Sequence, residues 1–323
     1  MRLIFMGTPD FAVGTLEALI EAGHEVALVV TQPDKPRGRS KKLQYPPVKE
    51  AALAHNIEVF QPKRVREAES IEYLKKYQPD CIVVVAFGQI LPKEILEMPK
   101  YCCVNVHASL LPKYRGAAPI QWAVINGEKV SGVTTMRMDE GLDTGDMILK
   151  EEVTLAPDET GGSLFDRLAE VGAKLAVQTL QALEDGTAEF TPQDHEKATQ
   201  VGMIKKSFGE MDFTKSAVEL ERLIRGLNPW PSAFTHLNGK MLKIWDADVY
   251  TKEQAEAEFP EYSTDFKGAE PGQIVAVLPH TFFIGCGKDL LKVNEVQAEG
   301  KKRMTSDAFL RGSRLEKGME LGK

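Results

Sequence analysis

The sequence is poor in cysteine, and the spacing of its cysteines suits neither a metal site nor a disulfide framework. None of the four stands in a CxxC pair: Cys81, Cys102, Cys103 and Cys286. We therefore predict no metal site and no disulfide. The N-terminus also lacks a long apolar run, because its first run already ends at Gly7, too early for a signal peptide or a membrane span. A cytoplasmic protein without membrane contact is expected.

Basic residues are not in excess. The chain has 40 Lys and Arg against 47 Asp and Glu, a formal net charge of −7. Because generic nucleic-acid binders carry an excess of Lys and Arg, any RNA contact here requires a locally basic face. With 43% apolar and 27% charged residues, the 323-residue chain has the composition of a soluble globular protein and a length typical of two domains.

The first turn lacks the glycines of a dinucleotide site. Residues 7–10 read Gly-Thr-Pro-Asp, without the GxGxxG that close approach to a pyrophosphate requires. The surrounding pattern is nevertheless Rossmann-like, with apolar runs at 2–6, 25–30, 57–60 and 81–86 and helical spacing at 11–22, 48–55 and 71–76. This alternation predicts an α/β fold with a helix-covered parallel sheet. Ligands of such sheets bind beyond the carboxyl ends of the strands, which indicates the loops after Val30, Ala86 and His107.

The rest of the chain has a different pattern. Residues 160–184 predict a long amphipathic helix, and residues 191–206 are polar and mixed, as expected of a linker. Helical spacing at 217–227 is followed by five short strand-like runs, at 233–237, 241–249, 272–277, 281–286 and 290–296. Five strands with turns between them predict a small OB-like β-barrel. The predicted domains are residues 1–190 and 207–323.

Two polar residues interrupt an apolar strand near its end. Asn105 and His107 stand two positions apart, so strand geometry places them on one face with Cα atoms roughly 6.6 Å apart. A single histidine in a strand is more often a satisfied core residue, and that alternative stays open. The asparagine partner and the strand end favour a functional site.

A glycine-punctuated loop at residues 136–146 contains three aspartates, Asp139, Asp143 and Asp146. The plain alternative is a solvated turn, and the spacing is not that of an EF-hand. Together with Asn105 and His107, Asp143 completes a set suited to acyl transfer to an amine. In that chemistry an asparagine stabilises the oxyanion, a histidine moves a proton and an aspartate holds the imidazole.

Longer motifs contain these residues: GTPDF at 7–11, TQPDKPRGR at 31–39, AFGQILP at 86–92, NVHASLLPKYRGAAPI at 105–120 and DEGLDTGD at 139–146. In content and order they resemble the methionyl-tRNA formyltransferases. The C-terminal part resembles that family's tRNA-binding barrel through RGLNPWPSAF at 225–234 and its strand pattern. The resemblance implies a cytoplasmic monomer that supports translation initiation. It would transfer the formyl group of 10-formyltetrahydrofolate to the free amino group of methionyl-initiator-tRNA.

The resemblance also implies site residues. Asn105 would donate to the oxyanion, His107 would relay the amine proton, and Asp143 would orient His107. The implied folate-binding residues are Ser109, Leu110, Leu111, Pro112, Phe87, Gly88, Ile90 and Asp139, although simple packing stays open for Leu110 and Leu111. The implied tRNA-binding residues are Arg37, Arg39, Lys41 and Lys42, from a stretch with five basic residues in eight, together with Lys205 and Lys206. A solvated basic loop and solvated lysines are the plain alternatives.

Two rival functions remain. A folate-dependent formyltransferase acting on a small amine, such as an amino sugar nucleotide, would use the same Asn, His and Asp set. The basic stretch at residues 35–42 and a C-terminal part of over one hundred residues favour the RNA acceptor. The other rival is an RNA-binding protein with a catalytically silent sheet domain, which the intact set of three residues disfavours.

Overall fold

The computed structural model describes residues 1–37 and 42–322, which divide into two compact units. The first unit comprises Met1–Pro119, Lys129–Leu155 and Leu164–Gly202, and the second comprises Ile120–Glu128, Ala156–Ser163 and Met203–Lys323. None of the helices in the described ranges is both long enough and apolar enough to cross a membrane.

The elements up to residue 201 alternate between strands and helices. In chain order they are β1 (Arg2–Gly7), α1 (Asp10–Glu21), β2 (Glu25–Val30), β3 (Lys35–Arg37), β4 (Lys42–Gln44), α2 (Pro47–Ala54), β5 (Val59–Phe60), α3 (Ala68–Lys75), β6 (Cys81–Val85), α4 (Lys93–Leu96), β7 (Cys103–His107), β8 (Arg115–Gly116), α5 (Pro119–Ile125), β9 (Val130–Arg137), β10 (Met147–Thr154), α6 (Gly161–Asp185), the 3-10 helix His195–Lys197 and β11 (Gln200–Val201).

The central sheet of the first unit has the strand order β10-β9-β7-β6-β1-β2-β5. The pairs from β7 to β5 are parallel, as the sequence predicts for a Rossmann-like fold. The sheet is thus mostly parallel, and the predicted parallel pairing ends at β7, because β9 pairs antiparallel with both β7 and β10. The β9–β10 pair is antiparallel because one loop joins the two strands as a hairpin, which reverses the chain direction.

Burial explains why the inner strands form. Each residue of β6, Cys-Ile-Val-Val-Val, is buried, as is typical of a strand covered on both faces. On α1 the buried residues Phe11, Thr15 and Leu19 recur every four positions, so one side of that helix faces the core. The predicted strands and helices of this unit correspond to observed elements, whereas the sequence pattern does not predict β9, β10, the helices α4 and α5 or the short strands β3, β4, β8 and β11.

The second unit adds, in chain order, the 3-10 helix Lys206–Gly209, α7 (Ala217–Gly226), β12 (Ala233–Leu237), β13 (Lys240–Tyr250), α8 (Lys252–Glu258), the 3-10 helix Pro260–Tyr262, β14 (Ile274–Val277), β15 (Phe282–Gly285), β16 (Leu290–Ala298), β17 (Met304–Thr305) and α9 (Ser306–Gly312). Its sheet has the antiparallel order β12-β13-β16-β15-β14, and β17 pairs with β16. The five predicted C-terminal strands are all present.

The C-terminal tail contacts both ends of this strand order. Leu321 forms an antiparallel bridge with Leu237 of β12, and Glu320 forms one with Gln273, just before β14. The amide of Ile274 also donates to the carbonyl of Met319, at 2.8 Å. The tail therefore supplies backbone hydrogen bonds to both edges of the sheet.

Phe283 is the centre of an aromatic cluster in the second unit, fully buried among Tyr250, Phe259 and Phe266 at ring-centroid distances of 5.1 to 5.6 Å. Phe283→Ala is expected to lower the free energy of unfolding by about 3–5 kcal/mol, because it removes apolar contacts and leaves a cavity. Urea unfolding followed by circular dichroism measures this. Val218→Ala, on the exposed side of α7, should stay within about 0.5 kcal/mol of wild type, and an equal loss in both variants would contradict the prediction.

Candidate active site

Asn105, His107 and Asp143 meet in the first unit. Nδ2 of Asn105 donates to Oδ1 of Asp143 at 3.2 Å, and Nδ1 of His107 lies 3.7 Å from Oδ2 of the same carboxylate. The amide of Gly116 also donates to that Oδ2, at 2.8 Å. One oxygen of Asp143 thus accepts from the side-chain amide of Asn105. The other accepts from the main-chain amide of Gly116 and faces the imidazole of His107.

A backbone carbonyl, and not Asp143, is the nearest hydrogen-bond partner of the His107 ring. Nε2 of His107 lies 2.9 Å from the carbonyl oxygen of Tyr114. Because a carbonyl oxygen only accepts, Nε2 must carry a proton. Nδ1 is then the nitrogen that can gain or lose a proton, and it is the one that faces Asp143. Asn105 and His107 are only 9% and 7% exposed, which limits the screening of their interactions by water.

The sheet determines where these side chains lie. Asn105 and His107 belong to β7, the last of the parallel strands, and pair with Met136 and Thr134 of β9. Asp143 lies in the loop that joins β9 to β10, with a positive φ of 52°. The loop therefore returns over the end of β7, where the strand-end rule for α/β sheets expects ligands.

The loops after β1, β2 and β6 are also linked to each other. Nε2 of Gln32 donates to the carbonyl of Phe87 at 3.1 Å, and the amide of Gln32 donates to Oγ1 of Thr8 at 3.2 Å. These contacts hold three carboxyl-end loops together, as expected for a binding site at this edge of the sheet.

Of the residues predicted to bind folate after β6, Phe87 is buried, whereas Gly88 is exposed with a φ of +80° and Ile90 is 77% exposed. Within residues 1–37 and 42–322, the main-chain amides of Gly88 and Ile90 donate no hydrogen bond. This loop therefore offers an apolar side chain and open N–H groups, which suit a flat ring with polar edges.

The predicted folate residues after β7 are more constrained. Ser109 is buried and donates to the carbonyl of Lys113 at 2.7 Å. Leu111 is 1% exposed and packs with Met136 and Met147, while its amide donates to Oγ1 of Thr134 at 3.1 Å. The side chain of Leu111 therefore packs against its neighbours in the core, which is the plain alternative to a folate contact. Its neighbours Leu110 and Pro112 are half-buried.

Asp139 is exposed and accepts hydrogen bonds within its own loop, from the amide of Gly141 at 3.0 Å and from Oγ1 of Thr144 at 2.7 Å. The structure therefore places it in a local turn. In the described part of the chain, no hydrogen bond joins Asp139 to Asn105, His107 or Asp143.

Two residues that sequence reasoning missed, Gln193 and Thr199, contact the loops of the site. Nε2 of Gln193 donates to the carbonyls of Asp143 and Gly145, both at 2.8 Å. Oγ1 of Thr199 accepts from the amide of Tyr114, the residue whose carbonyl holds His107, at 2.8 Å. Both residues lie in the segment expected to be a linker, and nothing in their local sequence pattern indicates these distant partners.

The predicted tRNA-binding residues are described only in part. Arg39 and Lys41, and the side chains of Arg37 and Lys42, lie outside the described residues. Lys205 and Lys206 belong to the second unit and are exposed, at the start of the 3-10 helix Lys206–Gly209.

The four cysteines do not form a reactive pair in the described residues. All four cysteines are free and buried, and burial raises the pKa of the Cys286 thiol to about 12 and that of the Cys103 thiol well above its usual range. The thiols of Cys103 and Cys286 therefore stay protonated and are poor nucleophiles, whereas the hydrogen bond with Cys81 lowers the pKa of the Cys102 thiol. Across residues 1–37 and 42–322, no group of three or more His, Cys, Asp or Glu side chains could hold a metal ion.

Comparison with known proteins points to formyl transfer. Residues 1–180 match the formyl transferase family, and residues 203–314 match the formyl transferase C-terminal domain. A methionyl-tRNA formyltransferase of Agathobacter rectalis is 64% identical over 318 residues, 98% of either chain. Another, from Lachnospira eligens, is 63% identical over the full length of both chains. An N-formyltransferase from Helicobacter canadensis, solved with folinic acid and dTDP-3-aminofucose, shares the fold with a TM-score of 0.64 at 20% identity, covering 91% of this chain and 99% of that one.

Proposed function

The chain belongs to the methionyl-tRNA formyltransferase family, and from this premise we propose that it transfers the formyl group of 10-formyltetrahydrofolate to the free amino group of methionyl-initiator-tRNA. The observation that carries the proposal is the contact of one carboxylate, Asp143, with both Asn105 and His107. The product is the formylated initiator that supports translation initiation.

The three side chains divide the reaction between them. The methionyl amine, with a reference pKa of about 7.7 to 8.0, attacks the formyl carbon in its neutral form. One N–H of the Asn105 amide is held by Asp143, and the other donates to the oxygen that becomes negative in the tetrahedral intermediate. Nδ1 of His107 takes the amine proton, directly or through a water, and the carboxylate of Asp143 stabilises the resulting imidazolium. The intermediate then collapses: the bond between the formyl carbon and the folate nitrogen breaks, and the imidazolium returns its proton to that nitrogen, which leaves as tetrahydrofolate.

The folate donor supplies the activated formyl group, and the loops around β6 and β7 would hold it. Exposed Ile90 and the open amides of Gly88 and Ile90 fit a pterin ring, whose faces are apolar and whose edges form hydrogen bonds. The remaining proposed folate contacts are Phe87, Ser109, Leu110, Leu111, Pro112 and Asp139. A folate complex of a structural neighbour agrees with a donor of this class.

We assign the donor site and catalysis to residues 1–190 and tRNA binding to residues 207–323, with 191–206 as the linker between these functions. The second domain is proposed to be OB-like. This is supported by the antiparallel order of its strands and by the C-terminal tail, which bonds to both edges of the sheet.

Phosphate contacts to the tRNA are proposed for Arg37, Arg39, Lys41, Lys42, Lys205 and Lys206. The support for this assignment is the five basic residues in the eight of residues 35–42. The enzyme is proposed to act in the cytoplasm as a monomer, consistent with a sequence that shows no coiled-coil pattern.

Transfer of labelled formyl from 10-formyltetrahydrofolate tests the proposal. Methionyl-initiator-tRNA is expected to be formylated, whereas free methionine, an amino sugar nucleotide and glycinamide ribonucleotide are not. The apparent KM for the tRNA should rise with salt, because phosphate contacts release counterions. Formylation of a small amine while the charged tRNA is ignored would preserve the chemistry of the site but reject the acceptor.

A further inference from the structure

Gln193 lies outside the motifs that contain Asn105, His107 and Asp143, yet it contacts the loop that holds the carboxylate. We propose that Gln193 is a positioning residue, which together with Arg115 fixes Asp143 in the orientation that formyl transfer requires. This inference rests on the proposed function, because Asp143 acts on the substrates only through Asn105 and His107.

The hydrogen bonds of Gln193 use its whole amide. Both N–H groups of Nε2 donate to carbonyls of the Asp143 loop, those of Asp143 and Gly145, each at 2.8 Å. Oε1 accepts from Nε and Nη2 of Arg115, at 3.0 and 2.7 Å. Gln193 is 5% exposed and Arg115 4%, so water competes little for these bonds. The amide therefore has one orientation that satisfies every donor and acceptor.

The loop needs such support. Asp143 has a φ of 52°, in the left-handed region that side chains other than glycine seldom adopt. Two residues later the backbone turns so closely that a Cβ on Gly145 would stand 1.8 Å from the carbonyl of Arg137. Strained backbone conformations persist when contacts with neighbouring residues stabilise them. Gln193 supplies such contacts, because it donates to the carbonyls on either side of Thr144. Loss of Gln193 would free the peptide groups that aim the carboxylate.

Arg115 strengthens this arrangement. Its guanidinium donates to Oε1 of Gln193 and, through Nη2, to Nδ1 of His195 at 3.1 Å, both neutral acceptors. A charged donor on the amide oxygen polarises the amide, which makes its N–H groups stronger donors to the loop carbonyls. Arg115 also begins β8, whose second residue, Gly116, donates to Oδ2 of Asp143. The same short segment thus acts on both the backbone and the side chain of Asp143.

Gln193→Ala is expected to lower kcat by about 10- to 100-fold, because small misplacements of catalytic groups are costly, with little change in the KM for donor or tRNA. Gln193→Glu should lower kcat similarly, since it keeps the size and a partner for Arg115 but removes both N–H donors. Gln181→Ala is the matched control, because Gln181 is exposed on α6 and donates to Asp185 at the surface. Its kcat should equal that of wild type.

A double-mutant cycle separates positioning from a general structural role. In an Asp143→Ala background, Gln193→Ala should have almost no further effect on kcat, because the group it positions is gone. Losses that multiply in the double variant would overturn the inference, as would a wild-type kcat in Gln193→Ala or Gln193→Glu.

Hydrogen–deuterium exchange of the peptide covering residues 139–146, measured without substrates, provides a readout independent of activity. Exchange should be faster in Gln193→Ala and unchanged in Gln181→Ala. If wild type formylates the tRNA but Gln193→Ala shows wild-type exchange and kcat, only the positioning inference fails. If wild type formylates no acceptor while exchange still rises in Gln193→Ala, the proposed function fails. The inference that Gln193 restrains the Asp143 loop is then retained.

Discussion

Replacement of Asp143 by asparagine is expected to lower kcat by about 10³-fold, with little change in the KM for the folate donor. The carboxylate lies 3.7 Å from Nδ1 of His107, so a proton taken by that nitrogen creates an ion pair. At an effective dielectric of about 20, two charges at this distance attract by about 4 kcal/mol, and each 1.36 kcal/mol is tenfold in rate. Single-turnover formyl transfer measures the chemical step itself.

Asparagine also mismatches the hydrogen bonds around residue 143. The two oxygens of Asp143 accept from Nδ2 of Asn105 and from the amide of Gly116, whereas an asparagine offers one oxygen and one NH2 group. One donor must then face another donor. Asp146→Asn is the control, because Asp146 lies in the same loop and pairs with Arg137 at the surface, where ion pairs contribute little. A fall of less than tenfold for Asp143→Asn would show that the carboxylate is not part of the proton transfer.

The parallel half of the central sheet is predictable because its inner strands are buried, and burial leaves an apolar pattern within each single element. The apolar run of β6 has no polar residue to interrupt it, and α1 shows its buried face every four positions. The C-terminal strands are predictable for a related reason, since turn residues separate their short apolar runs. In both cases the signal lies within one element.

The antiparallel edge is harder to predict. β9 reads Val-Ser-Gly-Val-Thr-Thr-Met-Arg, with small and polar residues at positions that the structure buries. Thr135 is buried because its hydroxyl bonds to that of Thr179 on α6, at 2.7 Å. Gly132 is required because a Cβ there would stand 2.1 Å from the carbonyl of Glu151. These requirements come from neighbours in the folded chain, so the apolar pattern of β9 alone does not reveal a strand.

The candidate site shows the same limit. Asn105 and His107 are conspicuous in the sequence because polar residues interrupt an apolar strand two positions apart. Gln193 stands in a polar segment where nothing distinguishes it from a solvated residue. Its partners in the Asp143 loop are 48 and 50 residues away in the chain, so only the fold reveals the contact. A polar residue within an apolar run is informative, whereas a polar residue within a polar run is not.

Asn105→Ala is expected to lower kcat by about 10²- to 10³-fold, the usual result of removing one oxyanion donor. Nδ2 of Asn105 has two N–H groups, and Asp143 accepts one of them, which leaves the other for the substrate oxygen. Quenched-flow measurement of formyl transfer to the charged tRNA gives the rate. Asn294→Ala should behave as wild type, because Asn294 is half-buried in the second unit and donates only to the exposed carboxylates of Asp246 and Asp248.

The pH dependence distinguishes an oxyanion donor from a residue that handles protons. An amide side chain does not titrate between pH 5 and 9, so Asn105→Ala should lower kcat by the same factor throughout that range. Asp143→Asn should instead change the shape of the pH–rate profile, because it removes the carboxylate that faces Nδ1 of His107, the nitrogen proposed to take the amine proton. If Asn105→Ala also altered the shape of the profile, Asn105 would act mainly by holding Asp143 against His107. Its amide would then not be the group that stabilises the tetrahedral oxygen.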